Sequence, residues 1–131
     1  MEITKRAALY CRLTRADDEA MALQKERVSR FAAELGYVNP IIYADNGASG
    51  ITYDRPAFSA MNADIAAGKI GAVVTLSSSR IGRNAIKTLA WMDKARSKGV
   101  ILKAWDGSLD ENVPAFQLFG MIAAEMRKKQ A

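Results

Sequence analysis

Ala7-Ala8-Leu9-Tyr10-Cys11-Arg12-Leu13, with Lys5-Arg6 before it and Thr14-Arg15 after it, decides the fold. A short apolar run bounded by charge, lacking the alternation of a half-exposed strand, predicts a β-strand buried on both faces, and such strands belong to parallel sheets covered by helices. As the first strand it is expected near the sheet's centre. Downstream, Asp17 or Asp18 can cap a helix on which Ala20, Leu23, Val28, Phe31 and Leu35 recur at helical spacing, and Gly36 closes it. Ile41 to Ala44 reads as the second strand. Asp45 to Asp54 follows as a polar, glycine-bearing loop, too long for a simple turn. Pro56 suits the first turn of a helix carrying Phe58, Met61 and Ile65 on one face. Ile70 to Leu76 is the third strand, Ser77 to Arg83 its loop, Ala85 to Lys98 a third helix ended at Gly99, and Val100 to Ala104 the fourth strand.

Strands alternating with helices predict an α/β fold: a mainly parallel sheet of about four to five strands, flanked by helices through right-handed crossovers. Sites in such sheets lie beyond the carboxyl ends of the strands, where Thr14, Asp45, Arg80 and Arg83 all fall. A last helix is expected from about Val113 to Lys129, capped by Asp110, Glu111 or Asn112. Its apolar residues Phe116, Leu118, Phe119, Met121, Ile122, Ala123 and Met126 form a stripe too wide for one packing face, so it calls for a second partner.

Composition narrows the classes of function. With 131 residues, 50% of them apolar and 25% charged, the chain fits one folded domain. The net charge of +5 favours polyanionic partners, because each neutralised phosphate releases condensed counterions. There is no histidine, which excludes Ser-His-Asp and Cys-His chemistry and every His-ligated metal site. Neither a metal nor a cofactor is expected. The lone Cys11 cannot form an internal disulfide and sits inside an apolar run, as a buried thiol in a reducing compartment would. No apolar stretch approaches the roughly 20 residues that span a bilayer, and the amino terminus lacks a signal-peptide core, so a cytoplasmic location without membrane contact is expected.

Four segments carry the chemistry: Tyr10-Cys11-Arg12-Leu13-Thr14, Asp45-Asn46-Gly47-Ala48-Ser49-Gly50, Arg55-Pro56 and Ser79-Arg80-Ile81-Gly82-Arg83. In this order and spacing the chain resembles the catalytic domain of serine recombinases, the resolvase/invertase and large serine integrase group, over about Ala7 to Gly107 and more loosely in the last helix. The resemblance implies a site-specific recombinase that cuts and rejoins double-stranded DNA through a covalent link to a hydroxyl amino acid, with neither metal nor nucleotide. It implies that Arg12, Arg80 and Arg83 are catalytic, that Arg55 is a further phosphate ligand, and that Asp45, Ser49 and Gln24 support the site. It also implies residues 1–108 as the catalytic core, 109–131 as the start of a long helix that makes a dimer or tetramer, and a separate DNA-binding domain that this sequence does not contain. Thr14 stands where the family has its serine nucleophile, and Ser79 where short resolvases have aspartate, as large serine recombinases often do. The run from Leu13 to Glu19, one residue longer up to Gln24 than in short resolvases, is also closer to the large recombinases.

Those residue types suit the chemistry. Displacing a phosphodiester oxygen needs a nucleophile and positive charge around the non-bridging oxygens, and arginine donates two parallel hydrogen bonds to phosphate while staying charged. Arg12, two residues before Thr14, is expected on the same side of the strand. Asp45 can fix an arginine fork or serve only the architecture, and Ser49-Gly50 can be a turn. Threonine keeps the hydroxyl, but its β-methyl restricts χ1 and crowds an in-line attack, so impaired strand exchange is expected. A slow threonine nucleophile, a degenerate copy and a replaced serine remain open. Two other classes stand beside the recombinase: a non-catalytic partner that keeps the dimer helix, and a small phosphosugar or nucleotide enzyme on the same sheet. The second explains the arginines poorly and lacks a Gly-x-Gly-x-x-Gly fingerprint.

Overall fold

The computed structural model describes residues 5–48 and 55–109. Among these, the elements run β1 (Arg6–Leu13), α1 (Asp18–Glu34), β2 (Ile41–Asn46), α2 (Pro56–Ala66), β3 (Ile70–Thr75), α3 (Ser78–Ile81), α4 (Ala85–Ser97) and β4 (Ile101–Ala104). The expected helix at 113–129, the dimer interface assigned to it and the Ser49-Gly50 turn lie outside the described residues. The four strands pair in parallel in the order β2-β1-β3-β4, which puts β1 inside the sheet as its apolar run predicts.

That order reverses direction after β2, so crossovers of one hand deliver helices to opposite faces. On one face Leu9 and Cys11 of β1 pack with Val74 against Met21, Val28 and Ala32 of α1. On the other, Ala8, Tyr10 and Val73 meet Met61 and Ile65 of α2 and Met92 and Ala95 of α4. The alternation along β1 thus serves two cores at once. Gly71 is the extra residue of a bulge where the β1–β3 register shifts, and a Cβ there would lie 3.0 Å from that of Lys5.

The structure departs from the sequence reading in four places. Ser77 to Arg83 is not all loop, since Ser78–Ile81 winds into the single turn α3. β2 continues to Asn46, so Asp45 lies within the sheet, opposite Arg12. β1 ends at Leu13, leaving Thr14 in an exposed bend where strand alternation no longer relates it to Arg12. On α1 the buried stripe is Met21, Gln24, Val28 and Ala32, while Leu23 and Leu35 are 48% and 41% exposed. The helix therefore presents a polar side chain to the sheet where an apolar one was expected. The capping at its start is as read, with Asp17 Oδ1 accepting from Ala20 N at 3.0 Å.

Candidate active site

β1 pairs with β3 only as far as Leu9↔Val74, yet runs on beside β2 to Leu13. The two strands part at the point where the strand order reverses, and in open parallel sheets this is the crevice that takes ligands. Beyond Leu9 the β3-facing edge of β1 needs other partners. Thr75 Oγ1 donates to the Tyr10 carbonyl at 2.8 Å. The amide of Gln24, buried under α1, closes a ring with Arg12: its Oε1 accepts from Arg12 N at 2.9 Å and its Nε2 donates to Arg12 O at 3.2 Å. Arg80 Nη1 donates to the same carbonyl at 3.0 Å. Gln24 thus stands in for a missing strand and fixes the backbone two residues before Thr14.

The Arg12 side chain is 1% exposed. Its Nε donates to Arg80 O at 2.9 Å, Nη1 to Ala48 O at 2.9 Å, and Nη2 to Ser79 O. One guanidinium therefore joins the ends of β1, β2 and β3. Burial pushes its pKa below the usual guanidinium range, and the positive charges of Arg55, Arg83 and Arg80 add to that, opposed by Tyr10.

Arg55, 5% exposed, donates through Nη1 to Ile81 O, and its Cζ lies 3.8 Å from the centre of the Phe58 ring, a cation–π contact. Burial lowers its pKa, while Tyr10 and Asp45 act in the opposite sense. Asp45 is buried too, but it does not hold an arginine fork. Its Oδ1 accepts from Ala57 N at 2.9 Å, and its Oδ2 accepts from Phe58 N at 3.0 Å and the Tyr10 hydroxyl at 2.7 Å. It caps α2 from a neighbouring strand, a task that the N-cap residue Arg55 does not perform with its own side chain. Tyr10, passed over as a core residue in the sequence, is thereby part of the site's frame. The available signal was a phenol inside a wholly apolar strand, since a buried Tyr hydroxyl must find a partner.

Arg80 and Arg83 flank the C-terminal end of α3. Arg83 is exposed, and Arg80 is partly buried with its Nε unpartnered. Arg80 also lines a cleft of about 560 Å³ on the α1 side of the sheet, with Arg27, Arg30, Phe31, Glu34, Leu76, Ser77, Trp105 and Asp106. Thr14 is exposed, and the preceding carbonyl, Leu13 O, accepts from Gly47 N at 2.9 Å and Ala48 N at 2.8 Å. Gly47 is required there: its φ is +99°, and a Cβ would meet Ala16 Cβ at 3.1 Å. Among the described residues the structure joins Arg12, Arg80 and Gln24 through hydrogen bonds, sets Arg55 and Asp45 around Tyr10 and Phe58 beside them, leaves Thr14 and Arg83 exposed, and gathers no three His, Cys, Asp or Glu side chains as metal ligands. Nor is any described helix long and apolar enough to cross a membrane.

The chain is thus a parallel α/β domain with an arginine cluster at its strand-order reversal. The family model "Resolvase, N terminal domain" matches residues 7–130, and the chain belongs to that family. Among solved structures it is similar to the N-terminal catalytic domain of TP901-1 integrase, with a TM-score of 0.77 and 20% identity over 96% of this chain and 98% of that one. It is also similar to a resolvase family site-specific recombinase from Streptococcus pneumoniae, with a TM-score of 0.75 and 26% identity over 97% and 89%. The C-terminal catalytic domain of ISC1926 TnpA, an IS607-like serine recombinase, aligns with a TM-score of 0.69 at 19% identity over 88% and 76%. Among curated proteins none matches.

Proposed function

We propose that this chain is the catalytic domain of a site-specific DNA recombinase in which Thr14 takes the place of the nucleophilic serine. The observation that carries the reading is the arginine cluster: Arg12 and Arg80, with Arg55 beside them and Arg83 three residues beyond Arg80, lie at the ends of β1 and β3, and Thr14, two residues beyond Arg12, is exposed. A DNA phosphodiester at this mouth meets positive charge on its non-bridging oxygens. The Thr14 hydroxyl then attacks phosphorus, the 3′-oxygen leaves with a proton, and the strand end stays joined to the chain until the reverse step releases it. Asp45 and Gln24 support the site by holding its backbone, and Ser49 is assigned a supporting role on the resemblance alone. The β-methyl of Thr14 slows the attack.

Residues 1–108 act as the catalytic core and 109–131 as the start of a dimerisation helix, so the working species is a dimer or tetramer on duplex DNA. A DNA substrate and the buried thiol of Cys11 both favour the cytoplasm. The test is a covalent-adduct assay: the domain is fused to a DNA-binding domain of known site, and Thr14, Thr14→Ser and Thr14→Ala are compared on denaturing gels. Adduct with serine, and a weaker one with threonine, is expected. No adduct in any variant, with DNA occupancy and assembly confirmed, would transfer the chain to the non-catalytic partner class.

A further inference from the structure

The bend that carries Thr14 spans residues 14–16, between the end of β1 at Leu13 and Asp17, the N-cap of α1. Both of its ends rest on the same three residues, Asn46, Gly47 and Ala48, where β2 closes. On the strand side Leu13 O accepts from Gly47 N at 2.9 Å and from Ala48 N at 2.8 Å. On the helix side the Asn46 amide takes over: its Oδ1 accepts from Asp17 N at 2.9 Å, and its Nδ2 donates to Asp18 Oδ1 at 3.0 Å. A helix that caps itself from both directions has Glu or Gln at its third position, reaching back to the N-cap amide. In α1 that position is Ala20, whose methyl group accepts nothing. Asn46 supplies the missing acceptor from another element.

We propose that Asn46 is a positioning residue for Thr14: it fixes the far end of the bend, as Gly47 and Ala48 fix the near end. The catalytic consequence rests on the recombinase reading; the tie between Asn46 and α1 does not. A three-residue bridge held at one end only can pivot, and an attacking hydroxyl displaced by ~1 Å loses about a hundredfold in rate. The residue type fits the place. An amide offers an acceptor to Asp17 N and a donor to Asp18 Oδ1 at once. Aspartate could keep only the first bond, and it would add a like charge where Asp17, Asp18 and Glu19 already open α1. Asn46, Asp17 and Asp18 are all exposed, so water replaces these bonds when the amide is removed and little stability is lost. A bond that served only the surface would therefore leave no trace in the rate, whereas a tie that aims Thr14 would.

Two readouts test this on the full chain, fused to a DNA-binding domain of known site and carrying Thr14→Ser, the background in which adduct is expected to be strongest. The first is the rate of covalent adduct formation at saturating duplex, taken together with the affinity for that duplex. Asn46→Ala should slow adduct formation by about tenfold or more while duplex affinity changes by less than about twofold. A rate equal to that of the background chain, or a rate that falls only as far as affinity does, would overturn the proposal. The second is amide hydrogen exchange followed by NMR. In Asn46→Ala the Asp17 amide should exchange at least about tenfold faster and the Arg12 amide, held by Gln24, should not change; an unaltered Asp17 amide would overturn the tie itself. No adduct from the background chain, with DNA occupancy and assembly confirmed, would overturn the recombinase reading, and the Asp17 amide would then decide the tie alone. Should Asn46→Ala fail to fold, Asn46→Val removes the same two bonds with a residue that favours a strand, and carries both readouts.

Discussion

At the scale of single residues, the site separates groups that hold from groups that act. Thr14 is the residue expected to act, and the backbone just before it is tied down through Gln24 at Arg12 and Gly47 at Leu13. With the frame fixed, the difference between threonine and serine reduces to one methyl group near the line of attack. Thr14→Ser should raise the rate of covalent adduct formation by about a hundredfold, the scale on which ~1 Å of misplacement is felt. Single-turnover kinetics on a nicked duplex read this directly, and equal rates for the two hydroxyls would show that the methyl group is accommodated. Asp45 is a holding residue. Asp45→Ala removes the acceptors for Ala57 N, Phe58 N and the Tyr10 hydroxyl, and should cost about 2 to 4 kcal/mol in urea unfolding. Tyr10→Phe should cost about 1 to 2 kcal/mol, and the double variant less than the sum, because the two side chains share one bond.

At the scale of elements, the legible features were those written in local patterns. The apolar run of β1, a helix between Asp17 and Gly36, Pro56 at the start of α2 and the helix read from Ala85 to Lys98, which runs to Ser97, all stand where they were read. What escaped reading depended on tertiary partners. α3 is a single turn whose last carbonyls are satisfied by Arg12 and Arg55, and no local periodicity announces four residues. Asp45 follows an apolar run and reads as a loop residue, yet its acceptors are claimed by the amino terminus of α2, which has no side-chain cap of its own. Gln24 was singled out through family likeness, not physics, since a glutamine on a helix is ordinarily solvated. Its burial follows from the gap left where β3 parts from β1, and that gives a test. Gln24→Met keeps the shape of the side chain but leaves Arg12 N without its acceptor, so it should destabilise by about 1 to 3 kcal/mol. Hydrogen exchange should report the Arg12 amide as newly labile in this variant, whereas an unchanged amide would mean that the strand end finds another partner.

At the scale of the whole molecule, one sheet carries two cores, and both contain acidic protons whose loss the fold resists. Cys11 lies in the core under α1, where burial pushes its thiol up to about 11. Tyr10 and Tyr43 lie in the other, raised above the ordinary phenol range by burial first and by their hydrogen bonds to Asp45 and Asp64 second. In each case the native state holds its proton more tightly than the unfolded chain does. The resulting stability is fully present below the unfolded pKa of each group and is lost as pH climbs towards the folded value. Cys11 opens the decline at about pH 9, and the two phenols steepen it from about pH 10, each contributing a slope of at most roughly 1.4 kcal/mol per pH unit. Guanidinium chloride unfolding of the parent at pH 7, 9 and 10.5 should therefore give falling midpoints with unchanged slope. Cys11→Ala should flatten the segment between pH 9 and 10 and leave the later fall in place. A midpoint that is constant to pH 10.5 in the parent would mean that these protons are lost from the folded chain as readily as from the unfolded one, which a thiol at 0% exposure between α1 and the sheet does not allow.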